Sequence, residues 1–412
     1  MKKILSVILL FLICMVCFGE DFFPISVWKT PTLLTEARVK EMKECGINVF
    51  PVGYDEIEQN PKIMDWIKNA DMNFLIFSEN FKSKDENIAE KTIDFCKSQP
   101  NFWGYLIADE PGYGAFDELK EYYNRVRKYD SDHPILIDLL GDATWWAMEG
   151  QNFYEGHLNY DAYVRTFNDK VKPNFMSYDE YIFKEDGNDM VNYWFGSLIT
   201  NRKYAKRDNI PFNTILLSCP HYLASNPGGG YRDLTEGELR WEVYTALAFG
   251  CRGIHYFTYY TPNRDQEEID NNTGFIYDKA LLNRDYSRNP KWYYVQSINS
   301  EIHKMANILI NAKSENVYFN GDNIPPLCMP IPENYLIKNA KGDLVIGELS
   351  VKDNKYFMIV NRDYKKETFA EITFANSVRA EEINPRGNKP IITEKTFSKL
   401  LPPGDGVLIK VK

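Results

Sequence analysis

Short apolar runs alternate with longer amphipathic stretches from residue 24 to about residue 310. Short apolar runs bounded by turn residues predict buried strands, and longer stretches with helical periodicity predict helices. The predicted strands are 25–28, 48–52, 74–77, 102–108, 134–140, 174–178, 213–218 and 253–259. The predicted helices are 35–46, 62–70, 85–98, 116–128, 190–206, 235–249 and 292–309.

This alternation places the chain in the α/β class. Eight strand/helix units over residues 20–312 predict a (β/α)8 TIM barrel that forms the catalytic domain. A doubly wound sheet is the alternative, but no Gly-rich phosphate loop follows the first predicted strand. After about residue 312 the pattern changes to short runs of alternating apolar and polar residues with turns between them. Residues 313–412 are therefore predicted to form a small all-β sandwich domain.

The first residues have the features of a secretory signal peptide. Two lysines precede an apolar core, and small residues lie just before Glu20. We therefore expect residues 1–19 to be removed and the protein to be exported, to the periplasm, the cell surface or the medium. The apolar core is too short for a transmembrane helix, and no later segment is predicted to span a membrane.

Composition narrows the kind of partner. The net charge of −10, with acids and bases interspersed, argues against nucleic acid and anionic membranes. Aromatic residues make up 15% of the chain, which favours a carbohydrate partner because sugar clefts use exposed rings. Neither the cysteines nor the histidines have metal-ligand spacing, so we expect no metal and no cofactor.

The fourth predicted strand ends in two adjacent carboxylates. It is apolar and aromatic, and Asp109, Glu110 and a Pro-Gly pair follow. In a (β/α)8 barrel the carboxyl ends of the strands carry the catalytic residues. We expect one of the two carboxylates to face an apolar wall, which would raise its pKa and suit it to general acid catalysis. In the alternative interpretation Asp109 caps the next turn and Glu110 is solvated.

The sixth predicted strand also ends in acids, with Asp179 and Glu180 between Tyr178 and Tyr181. Two carboxylates facing one cleft are the minimum for cleavage of a glycosidic bond. Otherwise one of these acids caps a helix and the other is solvated. Asp138, at the end of the fifth strand, belongs to the same inventory of polar residues at strand ends.

Aromatic residues and one histidine complete the candidate cleft. Trp28 ends the first strand, and Trp145 is next to a second tryptophan in the insertion after the fifth strand. Two adjacent tryptophans are not easily both buried, so at least one is expected at a surface or cleft, where it could stack on a sugar. His221 follows the seventh strand and could bond a sugar hydroxyl, although a structural role is the alternative.

The sequence Trp-Gly-Tyr-Leu-Ile-Ala-Asp-Glu-Pro (103–111) resembles the acid/base segment of clan-A glycoside hydrolases. Residues 247–257 are similar to the turn into strand eight of beta-galactosidase-like barrels, and residues 289–302 resemble their final helix. The C-terminal segments around 360–362 and 401–408 are similar to the β-sandwich domain that such enzymes often carry. The resemblance implies that Glu110 is the general acid/base and that Asp109 replaces the usual asparagine at the sugar 2-hydroxyl.

One feature of that family is missing. Its nucleophile is a glutamate that ends strand seven, whereas residues 214–221 read Thr-Ile-Leu-Leu-Ser-Cys-Pro-His. The second carboxylate therefore comes from strand six, as Asp179 or Glu180, or the barrel binds sugar without cleaving it. Residues 175–179 also resemble the Met-x-Tyr-Asp motif of chitinase-type barrels, but their spaced acidic motif on strand four is not matched by Asp109 and Glu110.

The sequence therefore predicts an exported glycoside hydrolase acting on an oligo- or polysaccharide, with Glu110 as general acid and Asp179 as the second carboxylate. The predicted substrate-binding residues are Trp28, Asp109, Trp145, Tyr178, Glu180, Tyr181, His221 and Tyr256. The main alternative is a non-catalytic carbohydrate-binding barrel, and a third hypothesis is a structural or adhesion module without a sugar site. The separation of the Glu110 and Asp179 carboxyl groups is expected to distinguish retention, at about 5 Å, from inversion, at roughly 6.5–9.5 Å.

Overall fold

The computed structural model describes residues 22–28, 34–144, 159–383 and 389–412. The predicted signal peptide and Trp145 lie outside these residues. Up to residue 312 the strands are β1 (Ile25–Trp28), β2 (Val49–Gly53), β3 (Asn73–Phe77), β4 (Phe102–Asp109), β5 (Ile135–Leu139), β6 (Ser177–Tyr178), β7 (Thr214–Leu217), β8 (His221–Leu223), β9 (Ile254–Phe257) and β10 (Phe275–Tyr277). The helices are α1 (Glu36–Glu44), α2 (Tyr54–Gln59), α3 (Lys62–Asn69), α4 (Glu86–Lys97), α5 (Phe116–Tyr129), α6 (Asn159–Val171), α7 (Val191–Asp208), α8 (Glu236–Phe249), α9 (Gln266–Asp270) and α10 (Pro290–Leu309).

The parallel strands form two sheets with the orders β2-β3-β4-β5-β6 and β1-β9-β7. Two isolated parallel bridges, Met176 to Phe212 and Asp179 to Ile215, connect the β6 and β7 regions. Between β1 and the start of β2, the backbone N–H of Asn48 donates to the backbone oxygen of Ile25, 3.0 Å away. The strand order agrees with the prediction, but the hydrogen-bond ladders of the described residues do not form one continuous closed ring.

Helix ends follow local sequence signals. The Thr35 hydroxyl accepts a hydrogen bond from the Arg38 backbone N–H and so caps α1, as its sequence position predicts. The α8 helix begins with a capping box, in which Thr235 and Glu238 each bond the backbone of the other. It ends at Gly250, whose φ of +87° lies in the left-handed region that glycine adopts without strain.

The core divides between the two faces of the parallel sheets. A large apolar cluster packs the outward side chains of the strands against the helices. A smaller cluster consists of side chains from successive strands without helix residues, so it lies on the concave face: Val49, Leu75, Trp103, Leu106, Leu136 and Phe175. Because side chains alternate along a strand, the next inward positions lie at the carboxyl ends of these strands.

The C-terminal region is antiparallel. Its strands are β11 (Lys313–Asn320), β12 (Ile337–Lys341), β13 (Leu344–Val351), β14 (Asn354–Asn361), β15 (Thr368–Phe374), β16 (Ala380–Glu382), β17 (Ile392–Thr393), β18 (Thr396–Leu401) and β19 (Gly406–Val411). They form two sheets with the orders β11-β13-β14-β19-β16-β17 and β12-β15-β18. Both sheets contribute to one apolar cluster, in which Phe357 of the first sheet meets Phe374 of the second.

The α8 helix joins the two regions. Its Trp241 indole N–H donates to the backbone oxygen of Arg362, 2.9 Å away. Buried Arg240 forms ion pairs with Glu301 on α10 and with Asp405 before β19. None of the helices in the described residues combines the length and the apolar character of a membrane span.

Candidate active site

Three neighbouring strands bring carboxylates to one end of the parallel sheet. Asp109 at the end of β4 is the register partner of Asp138 on β5, which in turn is the partner of Ser177 on β6. The Glu110 backbone N–H donates to the backbone oxygen of Asp138 at 2.9 Å. The Ser177 hydroxyl donates to the Asp138 carboxylate at 2.7 Å. Asp179 follows β6, so all four acids lie at the carboxyl ends of the strands.

Glu110 has an unusual backbone conformation. Its φ of 44° lies in the left-handed region, which costs a non-glycine residue about 1–2 kcal/mol. The chain is fixed immediately afterwards, because the Tyr163 hydroxyl donates to the Pro111 oxygen at 2.7 Å. Strained backbone of this kind concentrates at functional sites, where the surrounding structure holds it in place.

Asp179 is the buried partner of Glu110. Only 4% of its surface is exposed. Burial raises the pKa of Asp179 well above its usual range, and the negative charges of Glu110 and Asp138 raise it further. A hydrogen bond between the side chains of Asp179 and Glu110 adds to this rise in pKa. Burial and the neighbouring charges therefore favour the protonated form of Asp179.

Asp138 is a third buried acid in the cluster. Burial raises the pKa of Asp138 well above its usual range, the charge of Asp109 adds to this, and the hydrogen bond from Ser177 opposes it. The sequence placed Asp138 among the polar residues at strand ends without giving it a role. The sequence does indicate its position, because Asp138 is a single acid inside an apolar strand and lies two residues after the inward-facing Leu136.

The expectation that Asp109 or Glu110 faces an apolar wall is wrong. Both residues are exposed. They lie beyond the last buried residues of β4, where the chain turns away at Pro111. The buried acids of this cluster are Asp138 and Asp179.

Three predicted substrate-binding residues lie in the packing around the strands instead of the cleft. Tyr178 is fully buried in the large apolar cluster. Tyr256 is also fully buried, and its hydroxyl donates to Asn299 on α10 at 2.9 Å. Glu180 accepts a hydrogen bond from Ser197 on α7 at 2.7 Å, and burial raises its pKa to about 8. The structure does not bring these three side chains to the exposed acids.

Tyr181 lies beside the carboxylates, and Trp28 lies at the same end of the strands. Burial raises the pKa of the Tyr181 phenol well above its usual range, and the charges of Asp179, Asp138, Glu110 and Asp109 raise it further. The Tyr181 ring centroid lies 5.4 Å from that of Phe257, and Phe257 is the register partner of half-buried Trp28. Both predicted residues are therefore at the carboxyl end of the strands.

His221 lies in an aromatic cluster next to Tyr181. Its Nδ1 is 2.9 Å from the Cys219 backbone oxygen. Burial lowers the pKa of His221 to about 4, so the ring is neutral at pH 7. The neighbouring rings are Tyr181, Tyr231, Phe257, Phe275 and Tyr277, with centroids 4.9–5.7 Å from that of His221. Of these five, the sequence prediction included Tyr181 alone.

In the described parts of the chain, no group of three or more His, Cys, Asp or Glu residues has the geometry to hold a metal ion. A buried acid with a raised pKa beside an exposed acid is an arrangement suited to proton transfer, because burial favours the protonated form of the first.

The sequence matches no protein-family model and no curated protein sequence. Solved structures of similar fold are TIM-barrel glycoside hydrolases. A family 5 glycoside hydrolase from Bacteroides vulgatus aligns with a TM-score of 0.55 and 11% identity, over 95% of this chain and 88% of its own. A GH27 β-L-arabinopyranosidase from Geobacillus stearothermophilus aligns with a TM-score of 0.53 and 10% identity, over 96% of this chain and 98% of its own.

The likeness to a β-galactosidase from Marinomonas ef1 is more partial. This chain spans 60% of that protein, over 68% of its own length, with 11% identity and a TM-score of 0.47. The resemblance to glycoside hydrolase barrels is thus confirmed at the level of the fold, by structures that share about a tenth of the sequence.

Proposed function

We propose that this protein is a glycoside hydrolase that cleaves an oligo- or polysaccharide, and that its two parallel sheets act together as one (β/α)8 barrel. The observation that carries the proposal is the convergence of Asp109, Glu110, Asp138 and Asp179 at the carboxyl ends of β4, β5 and β6. Active sites of TIM-barrel enzymes lie at this end. The solved structures of similar fold, which are glycoside hydrolases, support the same reaction class.

We assign the acid/base role to Asp179 and the nucleophile role to Glu110. The resemblance to clan-A enzymes gives Glu110 the acid/base role, but Asp179 is the buried member of the pair and Glu110 the exposed one. An ionised carboxylate is costly to bury, whereas an exposed one is stabilised by water. The division of roles therefore follows the difference in burial.

The closeness of the two acids favours retention of configuration. Retaining pairs lie about 5–5.5 Å apart, and inverting pairs lie roughly 6.5–9.5 Å apart to admit a water molecule. The side-chain interaction of Asp179 with Glu110, which raises the pKa of Asp179, is expected at the shorter, retaining separation.

In the first step Asp179 gives its proton to the glycosidic oxygen while Glu110 attacks the anomeric carbon. The bond from that carbon to the leaving oxygen breaks, and a glycosyl ester forms on Glu110. Water then attacks the anomeric carbon and loses a proton to Asp179. The ester bond breaks, the sugar leaves, and both acids return to their starting states.

A non-catalytic carbohydrate-binding barrel is the second candidate. It is favoured by the end of β7, where residues 218–221 read Ser-Cys-Pro-His and carry no carboxylate. Such a protein would use the same cleft and aromatic rings to hold a sugar without breaking a bond.

Hydrolysis of 4-nitrophenyl glycosides and of galactan, arabinan, xylan and mannan tests the proposal. We expect Glu110→Gln and Asp179→Asn each to lower turnover at least about 10²-fold, the usual contribution of a positioned acid or base. Glu121→Gln, an exposed acid on α5, is the matched control and is expected to retain wild-type rates. Sugar binding without released product in the wild type would support the second candidate instead.

Export is a separate proposal, based on the sequence of residues 1–19. N-terminal sequencing of the protein recovered from the periplasm, cell surface or medium is expected to begin at about residue 20. Retention of Met1 on protein in the cytoplasm would contradict it.

A further inference from the structure

A short antiparallel ladder of β8 and β10 lies beside Tyr181, and we call this strand pair the hairpin although its strands are distant in the chain. Phe275 pairs with Leu223, and Tyr277 pairs with His221. Directly paired residues, and residues two apart on one strand, lie on the same face of a sheet. His221, Leu223, Phe275 and Tyr277 therefore share one face, which we call the hairpin face.

The hairpin face adjoins the catalytic acids. The charges of Glu110 and Asp109 are among the causes that raise the pKa of Tyr277 to about 12, after burial. His221, on the same face, packs edge-on against Tyr181, whose ring centroid is 5.7 Å away. Tyr277 and Tyr181 thus connect the hairpin face to the carboxylates.

Part of the hairpin face is open and apolar. Phe275 is 38% exposed and Leu223 is 40% exposed, which is unusual for large apolar residues placed side by side. The flat C–H side of a sugar ring packs well on such a surface, and its hydroxyl edge needs polar partners.

His221 supplies a polar partner in a defined form. Its Nδ1 bonds a backbone carbonyl oxygen, which accepts only, so Nδ1 carries the hydrogen. Nε2 of the neutral ring is then a hydrogen-bond acceptor. An acceptor beside exposed apolar side chains matches a hydroxyl group on an otherwise apolar ring face.

We propose that the hairpin face binds an uncharged sugar ring of the glycan, next to the bond cleaved between Glu110 and Asp179. This inference rests on the proposed hydrolase function, and it defines a subsite separate from the acids. We expect the ring to be uncharged because the carboxyl groups of Asp109, Glu110, Asp138 and Asp179 gather at the adjoining ends of β4, β5 and β6. A carboxylated sugar would be repelled there.

The test compares substrates with and without a second ring. Galacto-, xylo-, manno- and arabino-oligosaccharides of two to five units can reach the hairpin face, whereas the corresponding glycosyl fluorides have one ring only. We expect Phe275→Ala to lower kcat/KM on the cleaved oligosaccharide about tenfold or more, because it removes the exposed ring on which the sugar packs. The glycosyl fluoride is expected to react at the wild-type rate.

Tyr222→Ala is the matched control, because Tyr222 is on the same hairpin but pairs with Ile276 on the other face. It is expected to leave both substrates unaffected. Equal losses on oligosaccharide and fluoride with Phe275→Ala, or no loss on either, would overturn the subsite while leaving the hydrolase function intact. Cleavage of oligogalacturonides as efficient as that of neutral oligosaccharides would overturn the uncharged ligand.

Calorimetry separates failure of the subsite from failure of the proposed function. If the wild type cleaves none of these substrates but binds an oligosaccharide, and Phe275→Ala weakens that binding about tenfold or more, the subsite is supported and the hydrolase function is not. If the wild type neither cleaves nor binds any of them, both are overturned.

Discussion

Replacing Asp179 with asparagine removes the proposed acid while keeping its shape. The buried acid is expected to matter most when the leaving group needs a proton. For a sugar or alkyl leaving group we expect kcat/KM to fall about 10²–10⁴-fold, the usual contribution of general acid catalysis. For a 2,4-dinitrophenyl leaving group, which departs without protonation, the loss is expected to be much smaller. Glu110→Gln is expected to reduce the rate on both substrates, because attack on the anomeric carbon is needed in each case.

The pH dependence of activity has a defined sign. The pKa of Asp179 is raised, chiefly by burial, so the carboxyl stays protonated at pH values where an ordinary aspartate is ionised. Wild-type kcat is expected to fall as the pH rises through this pKa. In Asp179→Asn that limb of the profile is expected to disappear, measured from the residual activity on the alkyl glycoside.

Stability gives an independent readout of the same group. Between the ordinary aspartate pKa of about 3.9 and the raised native pKa, the folded protein binds more protons than the unfolded chain. The contribution of Asp179 to the free energy of unfolding is thus present below that window and is lost as the pH rises through it. Urea unfolding at pH 4 and pH 8 checks this. Between the two pH values, the free energy of unfolding is expected to fall less for Asp179→Asn than for the wild type.

Two results would refute this reasoning. One is an Asp179→Asn variant with equal losses on the alkyl and dinitrophenyl substrates, which would place the acid elsewhere. The other is a Glu110→Gln variant that keeps its rate on the dinitrophenyl substrate but loses its activity on the alkyl substrate. That outcome would return the acid role to Glu110, as the clan-A resemblance implies.

The remaining predictions concern residues that support the site. Arg240→Met is expected to lower the free energy of unfolding by about 3–5 kcal/mol, because its guanidinium lies between the buried carboxylates Glu301 and Asp405; a loss below about 1 kcal/mol in urea unfolding would contradict this. Tyr163→Phe removes the hydrogen bond to Pro111 and is expected to lower stability by about 1 kcal/mol and kcat severalfold, with KM unchanged. Unchanged kcat would show that Tyr163 does not position the end of β4.

The sequence predicted the strand order because each parallel strand is a separate apolar run. The first strand has the predicted bounds, 25–28. The sixth was predicted over 174–178 but has ladder pairing only at Ser177–Tyr178, since Met176 and Asp179 make isolated bridges on the other side. Apolar character marks a buried segment, whereas a ladder also depends on how a neighbouring strand curves.

The hairpin of β8 and β10 could not be found in this way. Each strand has three residues, too few for a periodicity, and the two strands lie about fifty residues apart in the chain. The position of Tyr256, which was wrongly predicted to bind substrate, could in contrast be inferred from the sequence. It lies between His255 and Phe257 on β9, so the alternation along a strand places it on the opposite face.

The same alternation explains why two consecutive acids at the end of β4 were ambiguous. In a regular strand Asp109 and Glu110 would point to opposite faces, and one of them would lie outside any cleft. The left-handed conformation of Glu110 breaks the alternation. Both acids consequently act on the same groups: each raises the pKa of Asp138, and each raises the pKa of Tyr277. A backbone strain of about 1–2 kcal/mol thus brings two neighbouring carboxylates into one cleft.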